Sequence, residues 1–319
     1  MNNSLHKFLG ELKAQRNYSP HTLRAYERDL RDFLDFSAAP PALPGTRSSA
    51  EGAGADAGPI KLDRGRLRAY LAFLQSRKTA RGALLRRASV LRKIASLRSF
   101  VRFLVEQGEI KADPFIGLPL PKKESLLPRF LTEEEMSALL RAGPERKPPQ
   151  RERDVAILEL LYSTGIRRAE LCQLNAGDVD FIAGFIRVMG KGSRERLVPV
   201  GQPALAALRS YLSVRRSKEA QGKSFQGAEP LFVSVRGRRL SSAAVPLIVH
   251  RWARAAKFSK ALTPHMFRHS FATHLLDRGC DLKSVQEMLG HKNLSSTQIY
   301  THVSLEHLRK VYQKAHPRV

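Results

Sequence analysis

The sequence predicts a mainly α-helical protein of two domains, the second of which carries a small three-stranded antiparallel sheet. Three observations lead there. Apolar residues recur at helical spacing through most of the 319 residues. One stretch, 178–200, switches instead to strand-like alternation around tight glycine turns. A stiff run of Pro119, Pro121, Lys122, Lys123 and Pro128 parts two blocks of different composition, giving domains over 1–115 and 129–319 with a linker over 116–128.

In the first block, helices are predicted over 4–16 and 20–37, broken at Asn17-Tyr18-Ser19-Pro20. Ser19 suits an N-cap, and Pro20 suits the first helical position, where a missing N–H costs nothing. Leu23, Tyr26, Leu30, Phe33 and Leu34 form the apolar stripe of the second helix. Residues 38–59 are mostly Ala, Gly, Pro and Ser and cannot bury enough surface to order themselves, so a mobile loop is expected there. Helices over 64–77 and 82–107 follow, with Leu84, Leu91, Ile94, Leu97, Val101 and Leu104 turned inward.

Charge says more about partners than about fold. The chain holds 55 Lys and Arg against 29 acids, a net +26, and such a field attracts polyanions. Between Lys61 and Val105 stand thirteen basic residues and one acid, Asp63. A solvated face normally mixes signs; this one suits phosphates, so the first domain is expected to bind DNA, with Arg86, Arg87, Arg92, Lys93 and Arg98 as candidate contacts. No segment reaches the roughly 18 apolar residues of a membrane span, and the N-terminus lacks the apolar core of a signal peptide. Two cysteines, Cys172 and Cys280, in apolar settings fit a reduced, cytoplasmic protein.

The second domain opens with Thr132 and Glu135 spaced as a capping box. Two helices follow, parted by a turn at Ser163-Thr164-Gly165, the second starting near Arg167. Strands are predicted over 178–181, 185–189 and 196–200, with Lys191 between two glycines in the last turn. A helix over 202–217, a short strand over 231–235 and a helix over 241–256 lead to a chemically dense stretch, Leu262 to His302. An amphipathic helix with Leu305, Leu308, Val311 and Tyr312 on one face ends the chain.

That stretch holds His265, Arg268, His269, His291 and Tyr300. His265 and His269 have the spacing of a zinc motif, but Met266 stands where its glutamate belongs and Arg268 would repel a cation, so no metal is expected. There is no Gly-x-Ser-x-Gly elbow and no Walker-type loop, so no nucleotide cofactor is implied. A phosphodiester fits better. Pro264 begins a helix whose first turn carries His265 and Arg268, and Arg167 opens another. Two guanidiniums can clamp both non-bridging oxygens and stabilise growing charge. Tyr300 is the candidate nucleophile; cationic neighbours ease loss of a phenol proton whose ordinary pKa is near ~10. Lys191 can protonate the leaving 5′ oxygen.

The segments STGIRRAEL, VMGKGSRERLVPVG, HMFRHSFATHLL and MLGHKNLSSTQIYTH, in this order, resemble the tyrosine recombinases, and within them the Xer branch, with a lean towards its C-type over its D-type members. The resemblance spans the chain, apart from a longer segment at 38–59. It implies that Arg167 and Arg268 clamp the phosphate, Lys191 is the general acid, and Tyr300 forms a 3′-phosphotyrosyl bond. It also implies that His265 assists proton transfer, His291 bonds the phosphate, and Glu170 and His269 support the site. The implied partners are a double-stranded DNA site, a paralogous recombinase in a cyclic heterotetramer whose C-terminal segments dock on neighbours, and a septal DNA translocase. The implied task is resolving chromosome dimers at the replication terminus. Alternatives are a phage or mobile-element integrase, a type IB topoisomerase, or an idle architectural DNA-binding protein.

Overall fold

Apolar stripes on short helices need partners, and the chain supplies them in two separate cores. A computed structural model describes residues 2–14, 18, 20–38, 62–80, 82–121, 130–145, 147–190, 195–219, 228–290 and 302–319. The chain divides into two compact units, Met1–Leu126 and Leu127–Val319. The segment 39–61, most of the expected loop, lies outside the described residues, as do Ser19 and most of the linker.

The first unit packs α1 (Asn2–Ala14), α2 (Pro20–Ala38), α3 (Arg64–Ser76) and α4 (Arg87–Glu106). Leu30, Phe33, Tyr70, Leu74, Leu97, Phe100 and Val101 form its centre. Asp63 caps α3 by accepting from the Arg66 N–H at 2.8 Å. Helix α4 begins later than the sequence predicts: Gly82 takes φ 77° in a turn, and Lys78 bridges to Leu84, which is left exposed outside the helix.

The second unit is built round α6 (Gln150–Thr164), whose residues from Ala156 onward are all buried. A helix apolar on every side belongs at the centre of a domain. Around it lie α5 (Glu133–Arg141), α7 (Arg168–Gln173), α8 (Gln202–Glu219), α9 (Ala244–Ala255), α10 (Pro264–Asp277), α11 (Leu282–Leu289) and α12 (His302–Ala315). The Thr132–Glu135 capping box forms reciprocally, at 3.2 and 3.0 Å. Strands β1 (Val179–Asp180), β2 (Phe185–Met189) and β3 (Glu195–Pro199) make one antiparallel sheet in the order β1-β2-β3, with Ile186 opposite Val198.

One expectation changes, and one amphipathic helix packs as its pattern predicts. Residues 231–235 form no strand. Val233 instead donates its N–H to the Tyr211 hydroxyl at 3.1 Å and offers its carbonyl to Arg153 at 3.0 Å, so side chains take the groups a neighbouring strand would need. The amphipathic face of α12 is covered by its own chain. Leu308, Tyr312 and Ala315 are buried, and the Tyr312 hydroxyl meets Ser163 Oγ at 2.8 Å. Gly201 lies so close that a Cβ there would sit 2.2 Å from the Arg318 carbonyl oxygen.

Candidate active site

The site forms where two helices end and two begin. Helix α6 stops at Gly165, which takes φ 58°; a Cβ there would come within 2.5 Å of Phe271, so no larger side chain fits. The chain then turns through Arg167 into α7. Helix α11 stops at Gly290 with φ 66°. Between these two ends stands Arg268 of α10, donating one terminal nitrogen to the Gly165 carbonyl and the other to the Leu289 carbonyl, each at 2.8 Å. Helix C-termini carry partial negative charge and suit a guanidinium. They orient the plane without neutralising it, and among the described residues Arg268 makes no ion pair. Burial first, and Arg167 next, push its pKa down to about 10. It therefore stays charged at neutral pH as a cation short of a counter-anion, with N–H donors left over from its five.

Arg167 and Glu170 form the second part. The Glu170 carboxylate accepts from the Arg167 backbone N–H and from its Nη1, both at 2.8 Å. It also accepts a fork from Arg196 of β3, at 2.7 and 3.2 Å. Burial acts to raise the Glu170 pKa, but Arg196 and Arg167 outweigh it and hold the carboxyl below its ordinary range. Arg167 remains exposed while Glu170 and Arg196 are buried. Two guanidiniums thus share one carboxylate, and with Arg268 beside them the excess is positive.

His265 and His269 lie exposed on α10, one turn apart. Burial, then the neighbouring His269, Arg268, Arg168 and Arg167, lower the His265 pKa. That favours the neutral imidazole, the form that can accept a proton. Arg167, Glu170, His265 and Arg268 are therefore brought together; Lys191, His291 and Tyr300 lie outside the described residues. Sequence reasoning missed Arg196. Its signal was available: in β3 it shares the inward face with buried Val198, and an arginine on the inward face of a strand demands a buried carboxylate.

In the first unit the candidate cations separate. Arg86, Arg87 and Arg98 are exposed, Arg98 lying 5.9 Å from the Phe115 ring centroid. Lys93 is corrected: it is buried, with Nζ 2.8 Å from Asp32 and 3.4 Å from Asp29. Arg92 is half-exposed and paired with fully buried Asp29. Lys93→Met is accordingly expected to destabilise the chain by about 1–3 kcal/mol, because it takes one of two cations from Asp29 and Asp32, which keep Arg92 and Arg77. Arg98→Ala should instead weaken DNA binding with little change in stability. Urea unfolding and gel-shift titration of both variants check the pair of outcomes.

The chain matches two known families: the phage integrase family over residues 129–307 and the phage integrase N-terminal SAM-like domain over residues 5–45. Tyrosine recombinase XerC of Pelotomaculum thermopropionicum is 42% identical over 314 residues, 98% of this chain and 97% of the relative. Tyrosine recombinase XerC of Thermodesulfovibrio yellowstonii is 41% identical, over 97% and 95%. Tyrosine recombinase XerD of Halalkalibacterium halodurans is 38% identical, over 100% and 99%. Among solved structures, the XerH site-specific recombinase bound to its difH substrate shares the fold, with TM-score 0.65 and 23% identity over 96% of this chain and 82% of that one. The Tn1549 transposon integrase in complex with circular intermediate DNA does likewise, with TM-score 0.65 and 19% identity over 95% and 98%.

Proposed function

The chain belongs to the phage integrase family, among the tyrosine recombinases of the Xer branch, and on that footing we propose how its residues cut and rejoin DNA. It is a site-specific recombinase, a strand-transferring enzyme. The observation that carries the mechanism is Arg268, a half-buried cation held by two carbonyls beside Arg167, with no carboxylate partner among the described residues. A scissile phosphate supplies the missing anion. Arg167 and Arg268 take its non-bridging oxygens and stabilise the charge that grows as the phosphorus becomes five-coordinate.

The Tyr300 oxygen attacks phosphorus and loses its proton, for which His265 is the acceptor. The bond to the 5′ oxygen breaks, Lys191 protonates that oxygen, and His291 bonds a phosphate oxygen. The product is a 3′-phosphotyrosyl ester and a free 5′ hydroxyl. Attack by another strand's 5′ hydroxyl reverses the steps and restores the diester, with no net hydrolysis and no need for ATP. Glu170 and His269 support these groups.

Residues 1–115 bind the duplex, with Arg86, Arg87 and Arg98 as its phosphate contacts, and residues 129–319 catalyse. The substrate is double-stranded DNA at a chromosome-terminus site, the partner is a paralogous recombinase in a cyclic heterotetramer, and a septal DNA translocase controls the reaction during division. The names of the full-length relatives support this task over that of a mobile-element integrase. Cytoplasmic work on the chromosome fits the helices, none of which, among the described residues, is long and apolar enough to cross a membrane.

Tyr300→Phe is expected to bind a nicked suicide duplex as wild type does and to form no SDS-stable adduct with it. An adduct from that variant would overturn the assignment of the nucleophile.

A further inference from the structure

The geometry points to Arg196 as a positioning residue for the recombination chemistry: a buried guanidinium that locks Arg167, through Glu170, to the end of α11. The inference rests on the recombinase reading given above. Arg196 is 6% exposed and makes three hydrogen bonds. Two go to Glu170, at 2.7 and 3.2 Å, and they occupy both carboxylate oxygens. Those same oxygens receive the backbone and side-chain donors of Arg167. The third bond runs from Arg196 Nε to the Met288 carbonyl at 2.9 Å, inside the last turn of α11.

One side chain on β3 thus ties together α7, which presents Arg167, and α11, whose Leu289 carbonyl orients Arg268. The fit is close on a further side. An ideal Cβ on Gly290 would lie 3.2 Å from Arg196 Cδ, Cζ and Nε, so the backbone of the α11 cap rests against the guanidinium. Arg196 is too enclosed to receive a DNA phosphate, which separates its task from that of Arg167 and Arg268.

Geometry also says why arginine is needed. Only a planar fork can meet two carboxylate oxygens and keep Nε for a carbonyl on another element. Lysine would keep the charge, and with it the electrostatic support of Glu170, but lose the rigid three-point link. Small displacement of a clamping group costs rate more than binding, since many other cations hold the duplex and only a few meet the reacting phosphate.

The test uses the full-length chain and a nicked duplex bearing the chromosome-terminus recombination sequence, in two forms. One has an ordinary scissile phosphate. The other has a methylphosphonate there, as a mixture of isomers, which removes one non-bridging charge and with it part of the need for a well-aimed arginine. Arg196→Lys is expected to melt and to bind DNA much as wild type does, and to form adduct about 10²-fold more slowly on the ordinary phosphate. On the methylphosphonate its deficit relative to wild type should shrink by roughly tenfold or more, out of the 10²–10³ that one such donor is worth.

An unimpaired Arg196→Lys would overturn the inference. So would an equal deficit on both substrates, which is the mark of a general loss of structure. Should Arg196→Lys fail to fold, Arg196→Met combined with Glu170→Gln removes both buried charges together, and adduct formation at the wild-type rate by that pair would overturn the inference too. Absence of any adduct from wild type would strike at the recombinase reading instead.

Discussion

Arg268→Met is expected to slow adduct formation by about 10²–10³-fold, the usual worth of one preorganised donor to a developing oxyanion, while its melting temperature stays within roughly 4 °C of wild type. The two outcomes have different causes. The rate falls because Arg268 is the cation that two helix C-termini orient without neutralising. Stability survives because that charge is held at a cost. An arginine whose folded-state pKa is brought down to about 10 opposes folding in its charged form. The opposition is complete at neutral pH and is relieved only as pH rises from about 10 into the ordinary arginine range. Removing the charge offsets the loss of two hydrogen bonds to carbonyls. The same reasoning makes wild type gain more thermal stability than the variant when DNA supplies the missing anion. A variant that loses activity only in proportion to its folded fraction would contradict this account.

Glu170→Ala should act in the opposite sense on stability. It leaves buried Arg196 without its carboxylate and Arg167 without either of its anchors, and breaking a buried pair in this way typically costs about 3–5 kcal/mol. Urea unfolding of wild type and variant reads that loss directly. Adduct formation should collapse as well, beyond what the unfolded fraction explains, because three guanidiniums then repel one another where a phosphate must bind. The pH dependence has a definite sign. Glu170 has a folded-state pKa below its ordinary value, so its stabilising effect is complete above the ordinary carboxylate range. The effect fades as pH falls through the lowered value. Wild type should therefore lose this contribution only in acid, and the variant should show a shallower acid limb.

Much of this architecture is legible in local sequence, because its signals are local. Pro264 at the first position of α10, the glycines closing α6 and α11, and the Thr132–Glu135 pair each mark a helix end through the chemistry of a few neighbouring residues. The sheet is legible from its alternation, down to its three-stranded antiparallel form. What escapes a reading of the sequence depends on distant partners. Lys93 looks like a surface cation among other cations until Asp29 and Asp32, some sixty residues earlier on α2, draw it inward. The apolar run at 231–235 looks like a strand until Tyr211 and Arg153 take the polar backbone groups of Val233. Arg196 passes unnoticed among the charges of its hairpin, although its inward register in β3 is the clue. In the site itself, the types and order of residues suffice to nominate Arg167 and Arg268. Only the fold reveals that, among the described residues, one has a carboxylate and the other does not.

The most direct test of the central claim is to locate the covalent bond. Wild-type protein is reacted with a nicked suicide duplex, the adduct is digested with protease, and the peptide attached to the DNA is identified by mass spectrometry. The account predicts a peptide containing Tyr300, joined through its phenolic oxygen to a 3′ phosphate, with a free 5′ hydroxyl on the departing strand. A bond at another residue, or attachment to a 5′ phosphate, would contradict it.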